Sequence, residues 1–436
     1  MKMKLFFYIF VLLSAFIIGR GAMADHEQPH NVNGIFPAVF VFGDSLVDTG
    51  NNNWFPTLAK GNMPQHGKNF EGGKATGRFC DGKIPSDILV EELGIKELLP
   101  PYLDPTLEAK DLITGVSFAS AASGYDPQTG AFLVYLYIFH FPILYRVRSL
   151  SPSRCCPIGS GLIFYIYTLY KMFFIIDHYY FVMKMQPVLP LQKQLELFKE
   201  YIGKIKGIAG ETRALEIVKE SLYVVATGNN DIQLNPSSSL NPSYIDIMLN
   251  FASTFLQVII SIHMHPTTFN SLYIVESTAG SYCFDLNKLG ARKIGVAGVL
   301  AMGCLPVIRN TLGGIERNCV DSVNEKVYMF NNKLSTEINS LSNKFPDAKM
   351  VYIDVYNIML DLLNNPTKYG YKITKNGCCA FLGRVDLLAY CPIACSNDYD
   401  YLFWDGYHFT ERNYRIVVKQ ILQQHLQTFI SSPNSP

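Results

Sequence analysis

The stretch Ala38-Val39-Phe40-Val41-Phe42-Gly43-Asp44-Ser45-Leu46-Val47-Asp48-Thr49-Gly50-Asn51-Asn52-Asn53 decides how the rest of the chain is read. It opens as apolar residues that favour extended backbone. Gly43-Asp44-Ser45 then breaks the run, and Asp48, Gly50 and the asparagines loosen it further. A continuous apolar run closed by a turn signal marks a parallel strand buried on both faces. In open α/β sheets, ligands bind beyond the carboxyl ends of the strands. Ser45 therefore stands where a nucleophile is useful, although a serine after a strand often only caps the next helix.

The same grammar recurs downstream. Val116–Ser120 runs into Ala121-Ala122-Ser123-Gly124, and Leu222–Ala226 into Thr227-Gly228-Asn229-Asn230-Asp231. Lys293–Val299 runs into Leu300-Ala301-Met302-Gly303-Cys304, and Lys349–Ile353 ends at Asp354. Between these runs the period becomes helical. Leu191, Leu195, Phe198, Ile202 and Ile205 form one apolar stripe, with Lys193, Glu196, Lys199 and Glu200 off it. Asn324–Phe345 predicts a long polar helix stopped by Pro346. Strands alternating with helices predict an α/β fold with a central five-stranded parallel sheet, covered on both faces in the flavodoxin-like manner.

At 436 residues the chain has ample material for a core. A balance of 37 basic against 36 acidic residues gives no electrostatic case for nucleic acid. Lys2 and Lys4 precede an apolar run from Leu5 to Ile18, and Ala22-Met23-Ala24 supplies small residues at cleavage spacing. Residues 1–24 thus read as a secretory signal peptide, too short in its apolar run for a bilayer span. Residues 25–436 are then read as a single exported domain, slightly acidic once Lys2, Lys4 and Arg20 are removed. Export permits disulfides among the ten cysteines, but their pairing is not legible. Each Asn-x-Ser/Thr triplet has proline in the middle, so N-glycosylation is not predicted.

Two segments break the grammar. Val134–Gln186 carries fourteen aromatics and a single acid, Asp177, with no sustained polar face. Val258–Phe284 is irregular and sits where a helix starting near Ser243 should run on to Leu286. Taken physically, they are an insertion domain or a membrane hairpin, and a large aromatic insertion in a secreted domain exposes apolar surface.

A nucleophilic serine needs a base, a group that orients the base, and donors for the oxyanion. Of nine histidines, His140, His178, His263 and His265 fall in the two odd segments. His408 stands out in Phe403-Trp404-Asp405-Gly406-Tyr407-His408-Phe409-Thr410, because Asp405 precedes it by three residues. One turn of chain can bring that carboxylate beside the imidazole, although an ordinary pair in a helix-start loop has the same spacing. Asn230 follows another predicted strand and could donate its side-chain amide to an oxyanion, or simply form a turn. His263-x-His265 lacks the further ligands a zinc site needs, so no metal is expected.

Together these blocks resemble the GDSL esterase/lipase family of the SGNH hydrolase superfamily. The four signature blocks are matched by Phe42-Gly43-Asp44-Ser45-Leu46, residues 118–124, Gly228-Asn229-Asn230-Asp231 and Asp405-Gly406-Tyr407-His408. The plant branch is suggested by Asp48-Thr49-Gly50-Asn51-Asn52, residues 77–83, Leu289-Gly290-Ala291-Arg292-Lys293 and the vicinal Cys378-Cys379.

The resemblance implies a three-layer α/β/α sandwich with Ser45 as nucleophile, His408 as base and then acid, and Asp405 as its orienting carboxylate. The oxyanion would be held by the Ser45 N–H, a backbone N–H in the second block and the Asn230 side chain. Ala121 and Ala122 stand where glycine is usual. Ala122 is assigned as the donor, with Gly124 in reserve, on the premise that the position needs no positive φ. Phe409 replaces a usual proline, which puts the rigidity of the histidine loop in question. No cofactor is implied. The expected substrate is a lipid or small acyl ester, and the expected form is a secreted monomer without a stable membrane span. The rival expectation is a non-catalytic or membrane-tethered protein disabled by the two odd segments.

The resemblance also sharpens those segments. The second block should lead within a few residues to the helix at Leu191–Leu195, and Phe255-Leu256-Gln257 almost directly to Asp285-Leu286-Asn287. Both segments begin with valine, whose codons start with GT, and the first ends Met185-Gln186, compatible with a terminal CAG. Residues 134–186 and 258–284 are therefore expected to be in-frame retained introns. Removing them with the leader leaves 332 residues, a usual size for the family.

Overall fold

A computed structural model describes residues 34–131, 188–261, 274–277, 280–283, 290–379 and 393–431. These lie in one compact unit, Gly34–Pro436. Its centre is β1 (Val39–Gly43), buried along its whole length as its apolar sequence requires. β1 pairs with β2 (Leu222–Ala226), β2 with β3 (Lys293–Ala297), and β3 with β4 (Lys349–Ile353). All three pairings are parallel, with Val41, Val224, Gly295 and Val351 at one level.

The expected five-stranded sheet is corrected to four among the described residues. Val116–Ser120 does run beside β1. The Val41 N–H donates to the Val116 carbonyl at 3.3 Å, and the Phe118 and Ser120 N–H groups donate to Val41 and Gly43 at 2.8 and 3.0 Å. Ser117 is nevertheless shared with Pro101 by a second bridge, so the segment bends between two partners and forms no regular ladder.

The two faces of the sheet are packed differently. On one, Phe40, Phe42 and Tyr223 meet Phe198 and Tyr201 of α2 (Leu191–Ala209) and Phe255 of α3 (Tyr244–Ile260). Their ring centroids lie 5.1–5.8 Å apart, and such pairs contribute about 0.5–1.5 kcal/mol each beyond area burial. On the other face, Val41, Val224 and Gly295 look toward α1 (Pro85–Glu92) and α6 (Glu411–Ile430) across a cavity of about 120 Å³. The long helix expected over Asn324–Phe345 is α5 (Asp321–Lys344), and α4 (Pro306–Leu312) precedes it.

A separate parallel pair, β5 (Ile373–Gly377) and β6 (Tyr401–Phe403), carries the carboxyl-terminal chemistry. Disulfides Cys304–Cys319 and Cys378–Cys395 lie nearby, Cys379 is also disulfide-bonded, and Cys80 is free and buried.

The leader, residues 134–186, and His140, His178, His263 and His265 lie outside the described residues. Their flanks are informative. A Cβ on Gly130 would sit 2.2 Å from Val188 Cγ2, so the chain returns at 188 to the place it left. The Ala291 N–H donates to the Ile259 carbonyl at 3.2 Å, which ties the chain entering β3 to the last turn of α3, inside the second segment. That segment is less irregular than expected. Val258, Ile259 and Ile260 are buried in the last turn of α3, and Ile274–Ser277 pairs antiparallel with Gly280–Cys283. No helix among the described residues is long and apolar enough to cross a membrane.

Candidate active site

The end of β1 is held close to β2, with the Asp44 N–H donating to the Ala226 carbonyl at 3.1 Å. A Cβ on Gly43 would lie 2.0 Å from that same oxygen, and Gly43 takes φ +146°, so only glycine fits. The turn that follows closes through the Val47 N–H and the Asp44 carbonyl at 3.1 Å, and leaves Ser45 half-exposed at its tip.

Ser45 Oγ lies 2.8 Å from His408 Nε2. On the other side of the ring, Nδ1 lies 2.8 and 3.0 Å from the two Asp405 carboxylate oxygens. Asp405 Oδ1 also accepts the Tyr407 and His408 N–H groups at 2.7 and 2.8 Å, a short turn that fixes carboxylate and imidazole together. Burial alone raises the Asp405 carboxyl, but the His408 charge and hydrogen bond outweigh it and hold the group below the usual carboxylate range. An ionised Asp405 keeps the proton on Nδ1, so Nε2 is free to accept from Ser45.

Packing fixes this loop without the proline usual at position 409. Phe409 is buried against Phe403 and Tyr414, pairs with Phe403 by an antiparallel bridge, and donates its N–H to Tyr414 Oη at 3.4 Å. The Trp404 N–H donates to the His408 carbonyl at 2.8 Å. From below, a Cβ on Gly377 would come within 2.6 Å of the Asp405 carbonyl, so β5 backbone packs directly on the loop.

Three groups are expected as oxyanion donors. The Ser45 and Ala122 N–H groups donate to nothing among the described residues. The Asn230 amide donates one hydrogen to the Ser123 carbonyl at 2.9 Å and retains a second. The premise behind Ala122 is corrected: the position does take a left-handed conformation, φ +64°. That region is allowed to alanine at a cost of about 1–2 kcal/mol. Gly124 packs instead against the Asp231 carboxylate.

Polar side chains brace this second block. Asp48 accepts the Ala121 N–H at 3.0 Å, Asn51 donates to the Ser117 and Ala119 carbonyls, and Asn52 donates to the Ala121 carbonyl. Asp231 accepts from the Tyr125 and Asp126 N–H groups and from Thr129 Oγ1, tying the second block to the third. Burial pushes the Asp48 and Asp231 carboxyls up to about 6. Asp44 is pushed by burial to about 7, against hydrogen bonds from the Leu46 N–H and the Asn229 side chain.

Three residues near the site escaped the sequence reading. Gln194 is fully buried, accepts the Gly43 N–H at 2.9 Å and donates to the Gly43 carbonyl at 3.0 Å, tethering α2 to the end of β1. A polar residue inside the Leu191–Leu195–Phe198 stripe was its available signal. Phe79 lies over the His408 ring at 5.1 Å between centroids. His66 is buried edge-on to Phe79 and Trp404, and burial, followed by the His408 charge, lowers it to about 4, so it stays neutral beside the triad. Neither had a sequence signal, since both reach the site through a loop. Among the described residues no cluster of His, Cys, Asp or Glu could hold a metal.

Comparison with known proteins gives the same picture at the level of the whole chain. A family model described as GDSL-like Lipase/Acylhydrolase matches residues 39–421. The Arabidopsis thaliana GDSL esterase/lipase EXL3 is 34% identical over 400 residues, covering 91% of this chain and 89% of that protein. A second Arabidopsis thaliana GDSL esterase/lipase is 35% identical over 416 residues, covering 94% and 90%. A third is 33% identical over 429 residues, covering 97% and 99%.

Proposed function

This chain belongs to the GDSL-like lipase/acylhydrolase family, and from that premise we propose that it is a secreted, monomeric serine hydrolase of carboxylic esters with a flavodoxin-like sandwich fold. The observation that carries the reading is the continuous line Ser45 Oγ, His408 Nε2, His408 Nδ1, Asp405, with each contact at 2.8 Å. Ser45 Oγ attacks the ester carbonyl carbon while its proton passes to His408 Nε2. The oxyanion that forms takes hydrogen bonds from the Ser45 and Ala122 N–H groups and the free Asn230 hydrogen. His408 then gives the proton to the departing alcohol, leaving an acyl group on Ser45. Water enters, loses a proton to His408, displaces the acid and restores the serine.

The substrates proposed are acyl lipids or small acyl esters. The adjoining flanks at 130 and 188 support the reading that residues 134–186 are removable, whereas Val258, Ile259 and Ile260 pack as core in α3 and count against it for residues 258–284. cDNA across both junctions tests the retained-intron reading, and abundant transcript retaining both segments would contradict it. Activity is tested with a short-chain p-nitrophenyl ester on the shortened and full chains. Ser45→Ala should lower kcat by about 10⁴-fold or more; undiminished hydrolysis would remove the mechanism.

A further inference from the structure

The hollow face of the sheet is not used by the reaction at Ser45. Across β1, β2 and β3, Val41, Val224 and Gly295 share one level, and Ala226 and Ala297 share the next toward the active site. Side chains this small leave the cavity between sheet and α6. It extends along β2 from Leu222 to Thr227, about 16 Å at ~3.3 Å per residue. Along α6 it runs from Tyr414 to Phe429, about 22 Å at ~1.5 Å per residue. The walls are long, but the slot between them holds about 120 Å³, less than the ~150 Å³ that accommodates benzene, so it fits an acyl chain of about five carbons.

Solvent reaches into it. Val224 is only half-buried although it sits mid-strand between fully buried neighbours, and Ile421, Leu422 and Leu426 of α6 are half-buried too. The lining is largely apolar, with Ser86, Thr227, Asn229, Tyr414 and His425 as the polar exceptions, so it suits a hydrocarbon chain better than a hydroxylated ligand. Its upper end is formed by Leu46 and Asn229, the residues immediately beside Ser45 and Asn230. An acyl group whose carbonyl meets Ser45 thus begins one residue from the slot.

We propose that the slot receives a short linear acyl chain of the ester, which passes Leu46 and lies between the sheet and α6 while its carbonyl stays at Ser45. This rests on the hydrolase reading above and adds a chain-length preference to it. Each methylene moved from water into such a lining should raise kcat/KM roughly fourfold until the slot is full.

The first test needs no turnover. Calorimetric titration of the full chain carrying Ser45→Ala with pentanoate should show one site per chain. Adding Gly295→Val or Leu422→Trp should weaken binding at least tenfold. The two substitutions fill the slot from opposite sides, and a Cβ at Gly295 meets the tip of Ile353 at 3.0 Å and the Phe429 ring at 3.8 Å. If one variant fails to fold in a melting control, the other still decides. In the Ser45 enzyme, the same substitutions should lower the ratio of kcat/KM for pentanoyl over acetyl p-nitrophenyl esters at least tenfold. No probe binding by the Ser45→Ala chain, or an unchanged affinity and chain-length ratio in the filled variants, would overturn the proposal. Binding without any ester hydrolysis would instead overturn the catalytic reading and leave the slot as a fatty-acid site.

Discussion

The two faces of the four-stranded sheet are made by alternate residues of the same strands, yet one is filled with rings and the other is hollow. On the filled face, Phe40, Phe42 and Tyr223 interlock with Phe118, Phe198 and Tyr201, and Gln194 on the same helix grips Gly43. On the hollow face the corresponding positions are Val41, Val224 and Gly295, and α6 stands off. The filled face fixes where β1 ends, and with it where Ser45 sits. The hollow face leaves stability unused where a ligand could lie.

Paired truncations expose the difference most strongly. Phe42→Ala should cost about 3–5 kcal/mol of unfolding free energy, because the buried ring leaves a void among three aromatic neighbours. Val224→Ala, one level away on the other face, should cost about 1 kcal/mol, since its side chain already borders empty space. Urea midpoints on the two variants check this, and equal losses would mean that the hollow face is packed in solution.

The buried carboxyl beside Ser45 gives the next effect. Asp44 titrates near 7 in the folded chain and near 3.8 when exposed, so the folded state binds the extra proton between those values. Its contribution is therefore fully present below about pH 4 and is lost as pH rises through 7. Stability should fall by up to about 4 kcal/mol across that window from this group. Asp44→Asn should flatten the decline between pH 5 and 8 in urea titrations, and an unaltered slope would place the titrating group elsewhere.

How much of this was legible follows from the kind of signal each part leaves. The four ladder strands were readable because strands buried on both faces are continuous apolar runs, and their ends located Ser45 and Asn230. Val116–Ser120 has the same composition but is divided between Val41 and Pro101, a competition that a local pattern does not register. Asp405 and His408 were readable because they are three residues apart. Gln194, Phe79 and His66 reach the site across the fold, and only Gln194 left a mark, as a polar residue in an apolar stripe. The conformation of Ala122 is set by its neighbours Asp48 and Asn52, which hold the Ala121 peptide on both sides. The hollow face was invisible because small residues in a strand look the same whether or not a helix fills the space above them.

The smallest effect tests the strain on the filled side. Ala122→Gly should relieve the left-handed conformation but add freedom to the unfolded chain, for a net gain of up to about 1 kcal/mol. Thermal melting checks it. A clear loss of stability would show that the methyl group, and not the backbone, matters there.

The central claim is that Ser45 is the nucleophile activated by His408. Treating the protein with a fluorophosphonate and mapping the adduct by peptide mass spectrometry tests it most directly. One adduct per chain is expected, on Ser45, and it should be lost in His408→Ala. An adduct on another residue, or an unlabelled Ser45 in protein whose ester hydrolysis is fully inhibited, would contradict the account.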